Sequence, residues 1–341
     1  MVVVAAVRRA AVVSARADNA GAAMFKSTHL IASAWHHRLA IVAAILVAVL
    51  RISSAQAEQT AAGFASPDEA VGALIAAVAD NNTTELRRIF GPDSESLISS
   101  GDPIADQQRR AGFVTAYNEQ HKLVAAGDNR MVLDVGKDGW PAPIPLVKEG
   151  ALWHFDAAAG AQEIIDRRIG RNEIAAIRVA LSYADAQKDY FERAKQASGT
   201  GEYAQRLIST PNRHDGLYWP AAAGELESPL APLVDQAIDE GYPVTGKRIP
   251  YQGYYFRVLT GQGPHAPGGA KDYMNGGKMT GGFALLAWPA TYGASGIMTF
   301  LVDQDGVVFQ KDLGKDTAAL AGAIARFDPD ISWTRVDVTD N

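Results

Sequence analysis

Residues 271–282, KDYMNGGKMTGG, set two lysines, an aspartate, a tyrosine and an asparagine among closely spaced glycines. Glycine lets a backbone turn through positive φ and come close to a ligand, and successive amides with ammonium groups attract anions. Lys271, Asp272, Tyr273, Asn275 and Lys278 are therefore candidates for a small-molecule or glycan-binding loop. Trp140 and Trp219, each followed by a proline, offer flat apolar faces of the kind that stack on sugar rings, and they join the candidate set. The loop carries no nucleotide fingerprint, because Met279 stands where a P-loop needs Ser or Thr after its lysine.

Catalytic sets are thinner. A lysine–tyrosine pair with a desolvated ammonium can activate a hydroxyl such as Ser295. Ser295 nevertheless lacks the Gly-x-Ser-x-Gly elbow, since Ile297 stands at the last position. Asp134 and Asp138 flank a bend before Trp140, whereas glycoside hydrolysis needs two carboxylates about 5–9 Å apart, which spacing along a chain does not fix. Asp303 and Asp305 beside Gly306 read as a hairpin turn, because the later ligands of a calcium loop are missing. Beyond residue 57 the histidines are His121, His154, His214 and His265, with no metal-binding spacing. There is no cysteine, hence no thiolate, disulfide or zinc–sulfur site. No catalytic, metal or cofactor residue is assigned.

The residues 39–50, LAIVAAILVAVL, follow His36, His37 and Arg38. Twelve apolar residues fall short of the roughly 20 that cross a bilayer but suit the core of a signal peptide. Small residues at Ala55 and Ala57 place cleavage after Ala57, and Met24 makes a natural start for a leader of ordinary length. The expectation is an exported, periplasmic protein with no stable membrane span once the leader is removed. Residues 1–57 hold six of the 32 basic and one of the 38 acidic side chains, so without them the net charge moves from −6 to −11. An acidic body argues against nucleic acid or anionic lipid as the main partner, because both demand clustered positive charge.

The elements that must position these residues divide at about 165. In 58–165, helices at 67–79 and 83–90 and a helical pattern over 104–124 precede strands at 130–135 and 151–155, with a Gly- and Pro-rich loop from 136 to 145. This predicts a small α+β domain, helices on a curved antiparallel sheet. In 166–341, an apolar stripe from Arg171 to Lys195 (Ile174, Ile177, Leu181, Ala184, Phe191) predicts a long helix. A largely irregular stretch, 198–253, holds a short helix near Leu233–Ile238. Strands follow at 254–259, 283–288, 297–302 and 307–310, the last two joined by a tight turn, and Thr317–Phe327 closes as a helix capped by Asp316. The second domain is a long helix laid across an antiparallel sheet.

The runs Tyr254–Arg257, Asp272–Met274, Gly282–Ala290, Tyr292–Phe300 and Asp305–Val308 resemble the DUF2950 family, exported bacterial proteins with no assigned function. Asp138–Pro141, Pro143–Pro145 and Arg167–Glu173 resemble it too. The resemblance spans about 60–336 and implies no catalytic residues. The element order of the first domain is similar to the cone-shaped nuclear-transport-factor-like and cystatin-like folds. The second domain, opening on Asn172–Glu173 and an Ala- and Ile-rich helix, resembles the soluble part of a pseudopilin, although charged Asp166, Arg167 and Arg168 stand where a pilin has its membrane segment.

Three readings of function remain open: a non-enzymatic binding or accessory module of the envelope, taking an envelope component, glycan, small molecule or envelope protein; a hydrolase of cell-wall sugar or peptide; and a pseudopilin-related assembly protein.

Overall fold

Ser66 starts the first helix of the described residues, α1 (Pro67–Ala79): its hydroxyl accepts from the Glu69 amide at 3.1 Å, and Pro67 fills the first helical position, where no amide is needed. The computed structural model describes residues 60–246 and 248–337, so the expected signal peptide within 1–57 lies outside the described residues. α2 (Thr83–Phe90) is capped by Asn82 and stopped by Gly91. A short turn then leads through α3 (Glu95–Ile98) to α4 (Pro103–Glu119), whose cap is the carboxylate of Asp102.

The helical pattern read over 104–124 ends at Glu119. Gln120 is extended, and β1 (His121–Ala125) pairs along its whole length with β2 (Arg130–Val135). Pairing with a neighbouring strand outweighs the helical tendency of this segment, as tertiary context commonly does. β2 does not pair with residues 151–155. β4 (Leu146–Glu149) lies between them, matching Met131 to Leu146 on one side and Leu146 to Phe155 of β5 (Leu152–Phe155) on the other. With two apolar residues in four, β4 is too short for its alternation to show. Inside the expected loop, β3 (Trp140–Pro141) adds a two-residue edge against Asp134 and Val135. The sheet order is β1-β2-β4-β5 with β3 on β2.

Asp156 then caps α5 (Ala157–Ser198), a helix of 42 residues closed by Gly199 in the left-handed conformation. It begins well before Arg171, where the apolar stripe suggested, and runs unbroken through residues 165 and 166. Gly160 does not break it. A side chain there would run into the Pro143 carbonyl and the Ile144 amide, so the glycine lets the helix lie directly on the chain leaving β3.

A long stretch with α6 (Ala231–Asp239) precedes the second sheet. That sheet has the order β14-β13-β12-β11-β6, all antiparallel, from β6 (Tyr254–Leu259), β11 (Ala284–Pro289), β12 (Met298–Asp303), β13 (Val308–Asp312) and β14 (Thr334–Arg335). The β12–β13 hairpin turns through Asp303–Gly306 as the sequence predicts. Between β6 and β11, β7 (Gly261–Gln262) pairs with β8 (Lys271–Asp272), and β9 (Met274–Asn275) with β10 (Lys278–Met279). The closing helix α7 (Thr317–Ala323) is shorter than the pattern over 317–327. Ile324 turns extended, and Phe327 swings into the core with no exposed surface. Asp316 stands at its N-cap position, but its side chain makes no capping bond there.

The fold is α+β: a helix-and-sheet segment, then a long helix packed on an antiparallel sheet. Two hydrophobic clusters hold it. One joins α1 and α2 to the first sheet through Val71, Leu74, Ile89, Leu133, Leu146 and Phe155. The other packs Ala176, Ala180, Tyr183 and Ala184 of α5 against Leu285, Phe300 and Leu301. Full burial of each large side chain stabilises by roughly 1.5–3 kcal/mol. Two buried polar side chains are paired within the second cluster: Tyr183 donates to the Ala284 carbonyl at 3.2 Å, and Gln187 donates to the Ala204 carbonyl at 2.7 Å while accepting from its amide. Polar bonds also tie the two clusters together. Asn172 donates to the Ser295 carbonyl at 2.8 Å, and Asp102 accepts from Tyr242 and from the Gly253 amide.

Candidate functional site

A close-packed protein interior leaves few voids larger than a water molecule. The first cluster departs from this with a cavity of about 450 Å³. Each element contributes a small part of its wall. Leu74 and Val78 come from one face of α1, one turn apart; Leu86 and Phe90 come from α2 with the same spacing; Phe113 comes from α4 and Ile164 from α5. Leu133, Ile144 and Phe155 come from the sheet side. This volume lies within the roughly 300–1,000 Å³ of small-molecule sites, which are mostly apolar with a few placed polar groups.

The polar groups are arginines. Arg109 and Arg110 on α4, and Arg167, Arg168 and Arg171 on α5, line the cavity with a single carboxylate, Asp106. Helical spacing explains the α5 set, because residues three and four apart share a face. Two of the five are committed to the fold. Arg168 is buried and donates to the Ser96 and Leu97 carbonyls at 2.7 Å each, and Arg110 donates to the Ile98 carbonyl and to Asn81. Together they satisfy carbonyls of α3, which has too few residues to satisfy its own. Arg109 pairs with Asp106 at 3.3 Å and donates to Asn172 at 2.8 Å. Arg167 pairs with Glu163 on the outside of the helix.

Arg171 has no ion pair or hydrogen bond among the described residues, and it is exposed where the cavity meets solvent. Removal from water, then the Arg109 and Arg167 charges, hold its pKa below the ordinary arginine value. Removal from water does the same for Arg168 more strongly than Asp106 opposes it. Both remain cations at neutral pH. The arrangement is an apolar chamber with unbalanced positive charge on its rim, in a chain that is acidic overall.

The residues singled out from the sequence lie elsewhere. Lys271, Asp272, Asn275 and Lys278 are exposed on β8, β9 and β10, and the segment is two small hairpins rather than an open loop. Gly276 and Gly277 make the second turn at φ +59° and +81°. Asp272 accepts from the Met274 amide, and Lys278 pairs with Glu202 at 3.2 Å. Tyr273 is fully buried, and its hydroxyl donates to Gln262 at 3.0 Å. Trp219 is buried and stacks on His214 at 4.3 Å, whereas Trp140 is 60% exposed on the first sheet. None of the seven lines the cavity.

Ser295 is buried, bonded through its hydroxyl to the Thr291 carbonyl and amide. His154 bonds the Ala62 carbonyl, and His265 faces Asp328 at the surface. Among the described residues no group of three or more His, Asp or Glu side chains is placed to hold a metal, and no helix is long and apolar enough to cross a membrane. Of the α5 stripe, Ile174 is exposed while Ile177 and Leu181 pack into the second cluster.

The family model described as "Protein of unknown function (DUF2950)" matches residues 61–336. The chain belongs to the DUF2950 family. The match takes in the cavity, its arginines and both sheets, so they sit within the part of the chain that DUF2950 describes. No curated protein and no solved structure matches this DUF2950 chain, and the likeness to pseudopilins finds no support.

The arginines were in view in the sequence as the run Arg167–Arg168–Ile169–Gly170–Arg171, read as part of the family resemblance and as charge where a pilin has its membrane segment. The available signal was their helical spacing. Their meeting with Arg109 and Arg110, some 60 residues earlier, is a matter of tertiary structure.

Proposed function

We propose that this protein is an exported, non-enzymatic binding module of the cell envelope, and that the cavity under the first sheet is its binding site. The observation that carries this reading is the cavity itself: about 450 Å³, walled by apolar side chains from five helices and a sheet. Apolar side chains that face an unfilled chamber lack packing partners on that side. A ligand held there returns the lost contacts. Export is inferred from the apolar run 39–50 and the small residues before Glu58. A carrier or sensor of a poorly soluble molecule suits a compartment between membranes.

The test uses a neutral apolar fluorescent probe, N-phenyl-1-naphthylamine. The protein is expected to bind it in a 1:1 complex with enhanced, blue-shifted emission. Ala142→Phe places a ring in the cavity and is expected to weaken probe binding at least tenfold, with a melting temperature no lower than that of the parent. Unchanged binding by a folded Ala142→Phe variant removes the cavity as the site.

A further inference from the structure

Apolar walls alone would suit any oily molecule. The rim is more selective. Of its five guanidiniums, Arg168 and Arg110 are spent on the carbonyls of α3, and Arg167 turns outward to Glu163. Arg171 has no partner among the described residues, and Arg109 gives one terminal nitrogen to Asp106 and the other to Asn172, its Nε having no partner among the described residues. Asp106 is the single carboxylate lining the cavity and already answers Arg109 and the Ser100 amide. Positive charge concentrated beside a low-dielectric chamber raises the local concentration of anions and strengthens each contact with them. A guanidinium fork also matches a carboxylate or phosphate with two parallel hydrogen bonds.

We infer that the cavity takes an amphiphilic anion, with its apolar chain among Leu74, Leu133 and Phe155 and its carboxylate or phosphate head against Arg171 and Arg109. This rests on the cavity being the binding site. Nucleic acid does not fit the same chemistry, because the chamber beside the cations is lined by aliphatic and phenyl side chains rather than by an extended basic groove. A free fatty acid and a single-chain phospholipid-like phosphate share the required chemistry, and the head group distinguishes them.

The experiment titrates the full chain, stripped of bound lipid, with four ligands of one chain length below their critical micelle concentrations: dodecanol, laurate, dodecyl phosphate and dodecyltrimethylammonium. Displacement of the neutral probe reports binding. Laurate or dodecyl phosphate is expected to bind at least tenfold more tightly than dodecanol, a difference of about 1.4 kcal/mol, and the cationic amphiphile more weakly than dodecanol. Whichever anion binds more tightly names the source, fatty acid or phosphate. Arg171→Gln is expected to bring the anions down to the affinity of dodecanol, and Arg171→Lys to recover part of the difference. Lys188→Gln, which removes an exposed lysine elsewhere on α5, leaves the ratio unchanged. Equal binding of dodecanol and both anions overturns the anion inference while the cavity remains the site. Failure of all four to displace the probe overturns the cavity reading as well.

Discussion

Asp303→Asn is expected to make the protein more stable at pH 7.5, by about 2–3 kcal/mol. Asp303 ends β12, is 3% exposed, and accepts one hydrogen bond from the Asp305 amide at 3.1 Å. Removal from water pushes its carboxyl up to about 6, and the nearby Asp305 charge adds to this. In the unfolded chain an aspartate releases its proton near 3.9. The native state therefore holds a proton that the unfolded state lets go between about pH 4 and pH 6. Stability from this group is fully present below about pH 4 and is lost as pH rises through about 6. Asparagine keeps the acceptor for the Asp305 amide and removes the charge that burial penalises. Urea unfolding at pH 4, 5, 6 and 7.5 checks it: the parent should lose stability across that window relative to the variant, and the two curves should converge at the acid end. A variant less stable than the parent at pH 7.5 contradicts the assignment.

Asp102→Ala is expected to cost about 3–5 kcal/mol, the loss of several buried donors at roughly 1–3 kcal/mol each. Its carboxylate has no exposed surface, caps α4 at the Ala105 amide (3.1 Å), and accepts from the Gly253 amide (2.8 Å) and the Tyr242 hydroxyl (2.9 Å). Burial pushes its pKa up while these three bonds pull it down, burial prevailing. The alanine variant leaves all three donors facing an apolar methyl. Gly253 is held at φ +81° with its backbone against Asn172, so it cannot swing to another partner. Asp102→Asn should fall between parent and alanine variant, because one oxygen is kept and an amide then faces the remaining donor. Equilibrium unfolding gives the three stabilities. An alanine variant within 1 kcal/mol of the parent contradicts the role assigned to these bonds.

Legibility in the sequence followed how local the determinant was. Pro67 and the apolar spacing after it announced α1, and Asp303–Gly306 announced the β12–β13 hairpin, because helix-start and turn chemistry act within a few residues. β4 was silent, since Leu146 and Val147 alone make no period, and its place in the sheet depends on partners fifteen residues upstream and a few downstream. The start of α5 was misplaced because the apolar stripe was read only from Arg171, while the helix begins at Ala157 and carries Gly160 within it. Gly160 is a packing glycine, required by the Pro143 carbonyl it lies against.

The candidate site shows the same division. The KDYMNGG segment is conspicuous because its glycines are adjacent, and those glycines make a hairpin turn. The cavity is inconspicuous because its wall is drawn from residues 74 to 171, a few at a time, each reading as ordinary core. Only the arginine spacing on α4 and α5 was written locally, and its meaning depends on where the two helices meet.

The measurement that tests the account most directly is native mass spectrometry of the protein purified from its own envelope, without overexpression or detergent washing. The account predicts a chain beginning at Glu58, carrying one retained molecule with an apolar chain and an acidic head, and loss of that molecule in Ala142→Phe. A parent protein that arrives bare, and stays bare when offered laurate and dodecyl phosphate, contradicts it.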